Sequence, residues 1–294
     1  MRGSAVQQPH STRRTQLSLE QTRQGASRLR DVRGVATPPP PGEFEHLRRA
    51  PGAALRPFVE HLWTVRWRLP ANASQRVATV PHPCVHWTFE AGSSTLTGPH
   101  TRLWQRQLSA EGEVLGIKFR PEGFRALWGA PICDLRDQIL RAASLPPLDF
   151  ARGLGERLFG PLAAGPLDAR FDAIEHALGA VCAQPVDDQL LVAALVETAR
   201  DDRDLLRADV WAQRAGVTLR QLQRLLADWV GASPKWILSR YRLHEALHRL
   251  QQSPTPRLAD LAADAGFADA AHFSRSFRGV LGVSPVQYAR LWHA

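Results

Sequence analysis

The sequence predicts an α+β protein whose first half is β-rich and whose last third is all helix. Three observations carry that expectation. Short runs of aromatic and β-branched residues, broken by Pro or Gly, fill residues 43–150. Apolar residues recur at helical spacing from about residue 150 onward. A Gly-x-Ser-Pro signal occurs twice, in "GASPKWI" (231–237) and in "GVSPVQY" (282–288).

With 294 residues the chain is long enough for two separate cores. No run of about 18 apolar residues occurs, so no membrane span is expected. The N-terminus, rich in Arg, Ser and Gln, does not read as a secretory signal. Cys84, Cys133 and Cys182 are odd in number and far apart, which argues against a disulfide framework and for a reducing, cytoplasmic setting. The net charge of +9 is uneven: residues 203–294 carry 13 basic and 7 acidic groups, residues 51–202 carry 15 and 17. A basic last third suits a polyanionic partner, and equally a solvated basic surface.

Residues 1–42 are expected to form a disordered basic tail, ended by the stiff spacer Pro38–Pro41. Residues 43–150 should then form a small antiparallel sandwich or cupin-like barrel. In "VEHLWTVRW", Val59, His61, Trp63, Val65 and Trp67 alternate with Glu60, Thr64 and Arg66, the pattern of a half-buried strand. Residues 151–202 read as a helical connector, with Leu167, Phe171, Ile174, Leu178 and Val181 at helical spacing and a second helix in "DDQLLVAALVETA".

From residue 203 the pattern repeats. An offset of 51 pairs Leu222 with Phe273, Arg224 with Arg275, Leu226 with Phe277, Gly231 with Gly282 and Pro234 with Pro285. An offset of 50 pairs Ala212 with Ala262 and Gly216 with Gly266. Each copy reads as a short helix, a tight Gly turn and a second helix, capped by Thr218 in one copy and Asp269 in the other. That is the helix-turn-helix arrangement, whose second helix can enter a major groove. Off the apolar stripe, the first copy leaves Arg220, Gln221, Gln223 and Arg224. The second leaves Ala270, His272, Ser274, Arg275 and Arg278. Arg pairs bidentately with guanine and Gln with adenine; a polar helix face in solvent is the competing reading. Between the copies, about 18 helical residues make a rod of about 27 Å, comparable with the 34 Å between successive major grooves.

The segments "LQRLLADWVGASPKWI" and "LADLAADAGFADAAHFSRSFRGVLGVSPVQY" resemble the AraC/XylS family of transcriptional regulators over residues 203–294. The resemblance implies a tandem reader of double-stranded promoter DNA that influences RNA polymerase. It also implies base-facing positions at Arg220, Gln223 and Arg224, and at Ala270, Ala271, His272, Ser274 and Arg275; Thr218, Gln221 and Arg278 complete the expected DNA-facing set. Ala270 and Ala271 offer no hydrogen bond, only contact with a thymine methyl. The β-rich half is similar to the cupin-like sensor domains of such regulators, and two roles stay open for it: binding a small-molecule effector, or purely oligomerising, as in a homodimer.

In "PHPCVHWTF", His82, Cys84 and His86 alternate and would share one side of a strand. They are zinc- or copper-type ligands, with a packed interior wall as the alternative. No fourth ligand lies nearby, so neither a metal nor another cofactor is expected. Cys84 also invites comparison with alkyl-transfer regulators that use Pro-Cys-His-Arg, but the adjacent His and Arg are missing. With no P-loop, dinucleotide fingerprint or nucleophile elbow either, a non-enzyme is expected.

Overall fold

The computed structural model describes residues 34–293 apart from 39, 183, 254 and 268. Most of the expected tail, residues 1–33, lies outside them. Residues 34–37 do not continue a tail. Ala36 donates to Ala78 O at 2.8 Å and Val80 to Gly34 O at 2.7 Å, so this segment runs beside a strand.

Eight strands form the β-rich half: β1 Glu43–Arg49, β2 Val59–Arg68, β3 Ser74–Thr79, β4 His86–Glu90, β5 Ser93–Thr97, β6 Trp104–Ser109, β7 Glu111–Phe119 and β8 Ile139–Arg141. Six make an antiparallel sheet in the order β1-β2-β7-β4-β5-β8, and β3 pairs with β6 in a separate ribbon. One face of the large sheet is apolar: Leu62, Trp87, Phe89, Leu96, Leu115 and Ile117 are all buried in one core. Helices α2 (Leu154–Phe159) and α3 (Leu167–Gly179) cover that face with Leu154, Leu158, Phe171, Ile174 and Leu178. Buried Arg170 of α3 reaches back to Glu113 of β7 at 2.8 and 2.9 Å, with its guanidinium 4.8 Å from the Phe159 ring. The ribbon packs on the other face, where Val77 and Leu108 meet Val65 and Trp67.

The alternation expected for β2 fails at its start. The register slips between Val59 and His61, a bulge that shifts side-chain parity by one. Val59 therefore joins Leu62 in the main core, while His61, Trp63, Val65 and Trp67 point to the other face. At the far end, Val181 is 38% exposed beyond the end of α3.

The helical part comprises α4 (Asp187–Asp201), α5 (Ala208–Arg214), α6 (Leu219–Trp229), α7 (Pro234–Gln252), α8 (Leu258–Asp264), α9 (Ala270–Leu281) and α10 (Pro285–His293); a single turn near the sheet, Arg125–Trp128, is α1. The segment read as a connector is divided between two cores. Its α2 and α3 belong under the sheet, whereas α4 contributes Val192, Leu195, Val196 and Ala199 to the core around α5 and α6. A third core gathers Leu243, Leu247 and Leu250 of α7 with Phe273 and Phe277 of α9 and Tyr288 of α10, and Ala36, Ala78 and Val80 of the β half enter it.

Candidate nucleic-acid interface

The two helical repeats close in the same way, bond for bond. Gly216 and Gly266 adopt φ +67° and +66°. In the first, Val217 N donates to Ala212 O and Gly216 N to Gln213 O; in the second, Phe267 N donates to Ala262 O and Gly266 N to Ala263 O. This is the Schellman stop, which places a left-handed residue after the helix and turns the chain sharply. Each turn delivers a capped second helix. Thr218 and Gln221 form a reciprocal capping box on α6. Asp269 accepts the His272 amide at 2.6 Å on α9, and that bond holds its carboxylate below the usual range. Gly231 and Gly282, at φ +76° and +77°, follow the ends of α6 and α9.

Burial sorts the two helices cleanly. Leu222, Leu225, Leu226 and Trp229 of α6 are buried, as are Phe273, Phe277 and Leu281 of α9. Arg220, Gln223 and Arg224 are exposed on the first helix, and Ala271, His272, Arg275 and Arg278 on the second. Ser274 and Ala270 are half-buried, Ala270 against the third core. His272 sets its ring edge-on to Phe267 at 5.2 Å. Thr218 and Gln221 are exposed but already spend their side chains on the cap.

Charge pairing, a property of the folded chain alone, separates the cations further. Arg203 pairs with Glu245, Arg207 with Asp209, Arg214 with Asp202 and Arg249 with Asp264. Arg240 and Arg242 are consumed by carbonyls of Thr101 and Leu205. Among the described residues of the last third, Arg220, Arg224, Arg275 and Arg278 have no carboxylate in ion-pair range, and neither have Lys235, Arg257 and Arg290. Four of these seven uncommitted cations stand on the exposed faces of α6 and α9. Lys235, Arg257 and Arg290 are additions that sequence reasoning missed, because charge alone does not tell a paired arginine from an unpaired one.

The helical units are tied to the β half through α6 and α7. Arg125 reaches Asp228 at 3.1 Å and Arg136 donates to Gly231 O at 2.7 Å, at the end of α6. On α7, Arg240 donates to Thr101 O at 2.9 Å, and burial lowers its pKa to about 10. Also on α7, the His244 ring stacks on His82 at 3.8 Å, and Gln251 donates to Val35 O at 2.7 Å.

This geometry corrects the reading of His82, Cys84 and His86 as one side of a strand. Pro81 and Pro83 keep residues 81–85 out of the ladder, and β4 starts only at His86. His82 turns to α7, while Cys84 Sγ lies 3.5 Å from His86 Nε2. Among the described residues no cluster of three or more His, Cys, Asp or Glu side chains is arranged to hold a metal ion. Burial pushes the Cys84 thiol up to about 12, so it stays protonated near neutral pH. Trp87 and Trp128 belong to the main core, Trp67 to the ribbon core, and Trp63 stands between His46 and His86.

Residues 211–291 match a family described as a helix-turn-helix domain, and residues 47–141 match a domain of unknown function, DUF6597. The helical third is thus a helix-turn-helix domain of the AraC type, carrying two helix-turn-helix units. Over 74 residues the chain is 40% identical to the HTH-type transcriptional activator RhaS of Pectobacterium carotovorum, covering 25% of this chain and 26% of that protein. It is 34% identical over 104 residues to the transcriptional activator NphR of a Rhodococcus species, covering 35% and 30% respectively. The chain thus spans only about a quarter to a third of the length of these curated relatives. An AraC-type regulator structure from Chromobacterium violaceum is 27% identical, covers 36% of this chain and 94% of its own, and has a TM-score of 0.33. No helix among the described residues is long and apolar enough to cross a membrane.

Proposed function

We propose that the chain is a sequence-specific regulator of transcription that reads double-stranded promoter DNA with α6 and α9 in successive major grooves. One observation carries the reading: four of the seven uncommitted cations of the last third stand on the exposed faces of those two helices, while Arg203, Arg207, Arg214, Arg240, Arg242 and Arg249 are tied to carboxylates or carbonyls. Arg224 and Arg275, equivalent in the repeat, are the principal base-reading residues, with Arg220, Gln223, His272, Ser274 and Arg278 beside them. Thr218 and Gln221 hold the helix in shape and leave only backbone or incidental contacts to DNA. Lys235, Arg257 and Arg290 supply phosphate contacts.

On this reading the protein is not an enzyme, works in the cytoplasm and acts through RNA polymerase; the relatives named above are themselves called transcriptional activators. The DUF6597 half senses a small molecule or joins two copies as a homodimer, and its ties to α6 and α7 supply the route between the halves.

Selection of binding sites from random duplex DNA by the full chain, with affinity followed against salt, tests the proposal. The expected motif is two short half-sites about 10 base pairs apart, with a steep negative salt slope. Weak binding regardless of sequence would overturn it.

A further inference from the structure

The polar face of the six-stranded sheet has an unusual content. Residues directly opposite in an antiparallel pair share a face. His61 lies opposite Lys118, Lys118 opposite His86, and His86 opposite Thr97, so these four form one row across β2, β7, β4 and β5. The next row runs Arg48, Trp63, Gly116, Thr88. The Trp63 indole lies flat over Gly116, where an added Cβ would come within 2.2 Å of the ring. Its N–H is buried and has no acceptor among the described residues.

This face combines a buried cation, Lys118, with a buried indole N–H that has no acceptor among the described residues. Lys118 is 7% exposed and pairs with Glu60 at 2.8 Å. The Glu60 side chain is 43% exposed, so the counter-ion sits at the rim. Burial first, and then the positive charge of Lys118 and Arg48, lower His61 to about 2 and His86 to about 3. Both imidazoles are therefore neutral near pH 7, and each carries one N–H donor and one acceptor nitrogen without a charge of its own, with His86 Nε2 facing Cys84 Sγ. Toward the ribbon the face turns apolar, with Val65 and Trp67.

We propose that this face binds a small organic carboxylate, with Lys118 as its counter-ion, the Trp63 N–H and an imidazole N–H as further donors, and its apolar body along the Trp63 ring toward half-buried Val65. A cationic ligand would meet Lys118, and a neutral one would bring it no counter-charge in place of Glu60. The incoming carboxylate displaces Glu60 and exchanges one counter-ion for another, so no charge is left buried and unpaired. Burial first, and then the negative charge of Glu60, raise the phenol of half-buried Tyr241 on α7. The exchange thus changes the charges facing the helix that joins the two DNA-reading units. This inference rests on the sensor reading of the β half and names its ligand class.

The test uses the full chain without DNA. Thermal unfolding is followed with acetate, butyrate and benzoate, each against its primary amide at the same millimolar concentration. At least one acid should raise the Tm where its amide does not. Lys118→Met should abolish that shift, Trp63→Phe should weaken it, and Glu60→Gln, which removes the competing carboxylate, should tighten binding several-fold. Should Lys118→Met not fold, the gain on Glu60→Gln decides. The proposal is overturned if acids and amides shift the Tm alike, if none of the three acids shifts it, or if Glu60→Gln leaves the acid's affinity unchanged. Intact DNA selection alongside such a failure would strike the carboxylate site alone, and failed selection would leave the thermal result standing.

Discussion

Gly231 and Gly282 provide a matched pair of perturbations. They are equivalent in the repeat and share a left-handed backbone, φ +76° and +77°. They differ in what surrounds them. A Cβ at Gly282 meets nothing within 4 Å, whereas one at Gly231 would lie 2.8 Å from Ile132 O and 2.9 Å from Ile132 Cγ2. Alanine in the left-handed region costs about 1–2 kcal/mol, of which a stiffer unfolded chain returns about 0.4–1. Gly282→Ala should therefore destabilise by about 1 kcal/mol. Gly231→Ala adds overpacking of about 1–3 kcal/mol against a backbone carbonyl, for a total of about 2–4. At a urea m-value of about 1–3 kcal/mol/M, that difference moves the midpoint by roughly 1 M. Urea unfolding of the full-length variants, followed by tryptophan fluorescence, measures it. Equal losses for the two variants would refute the reasoning, since they would mean that Gly231 does not rest on Ile132 in solution and that α6 is not docked on the β half.

Further outcomes are expected. Arg224→Ala should cost about 1–3 kcal/mol at a selected site and relax the preference at one base position; an unchanged motif and affinity would remove Arg224 from the interface. Thr218→Ala deletes the capping box and should lower stability by about 0.5–2 kcal/mol, and urea midpoints check it. Arg170→Met leaves Glu113 to Arg66 alone and should cost about 1.5–3 kcal/mol, seen as an early loss of the sheet's far-UV circular dichroism signal on heating. Acid should destabilise the fold across a defined window. His46, His61 and His86 have folded-state pKa values of about 4, 2 and 3, below the unfolded value of about 6.5. The unfolded chain therefore binds more protons, and stability falls as the pH drops from about 6.5 towards 4. His61→Phe should flatten that fall in a pH series of urea midpoints.

The repeat was legible in the sequence because its determinants are local. A glycine that must turn left-handed, a Thr or Asp that must cap and a Ser-Pro that must open a helix act within a few residues. Phe273 and Phe277 likewise announce a buried stripe through their spacing alone. The β half was legible as a class but not in detail. The bulge after Val59 reverses the parity of the strand's first residues without marking it in composition. Strand β1, "EFEHLRR", carries four charges and is recognisable only through its pairing with β2. Pro81 and Pro83 were visible, but their effect on His82 depends on α7, more than 150 residues away. At the candidate interface, the exposed arginines of α6 and α9 were read correctly as outward-facing. What separated them from Arg207 or Arg249 was whether a carboxylate stood opposite, which is a property of the folded chain.

The placement of α4 bears on how the protein can be divided. The stretch that matches the helix-turn-helix family starts at residue 211, yet Val192, Leu195, Val196 and Ala199 are as deeply buried around α6 as that helix's own leucines. A fragment cut at 203 or 211 would open the side of the first unit and leave Leu222 and Leu226 facing water. The smallest piece able to fold around α6 starts near residue 186, ahead of α4. What carries the family's signature and what holds itself together are here two different lengths of chain.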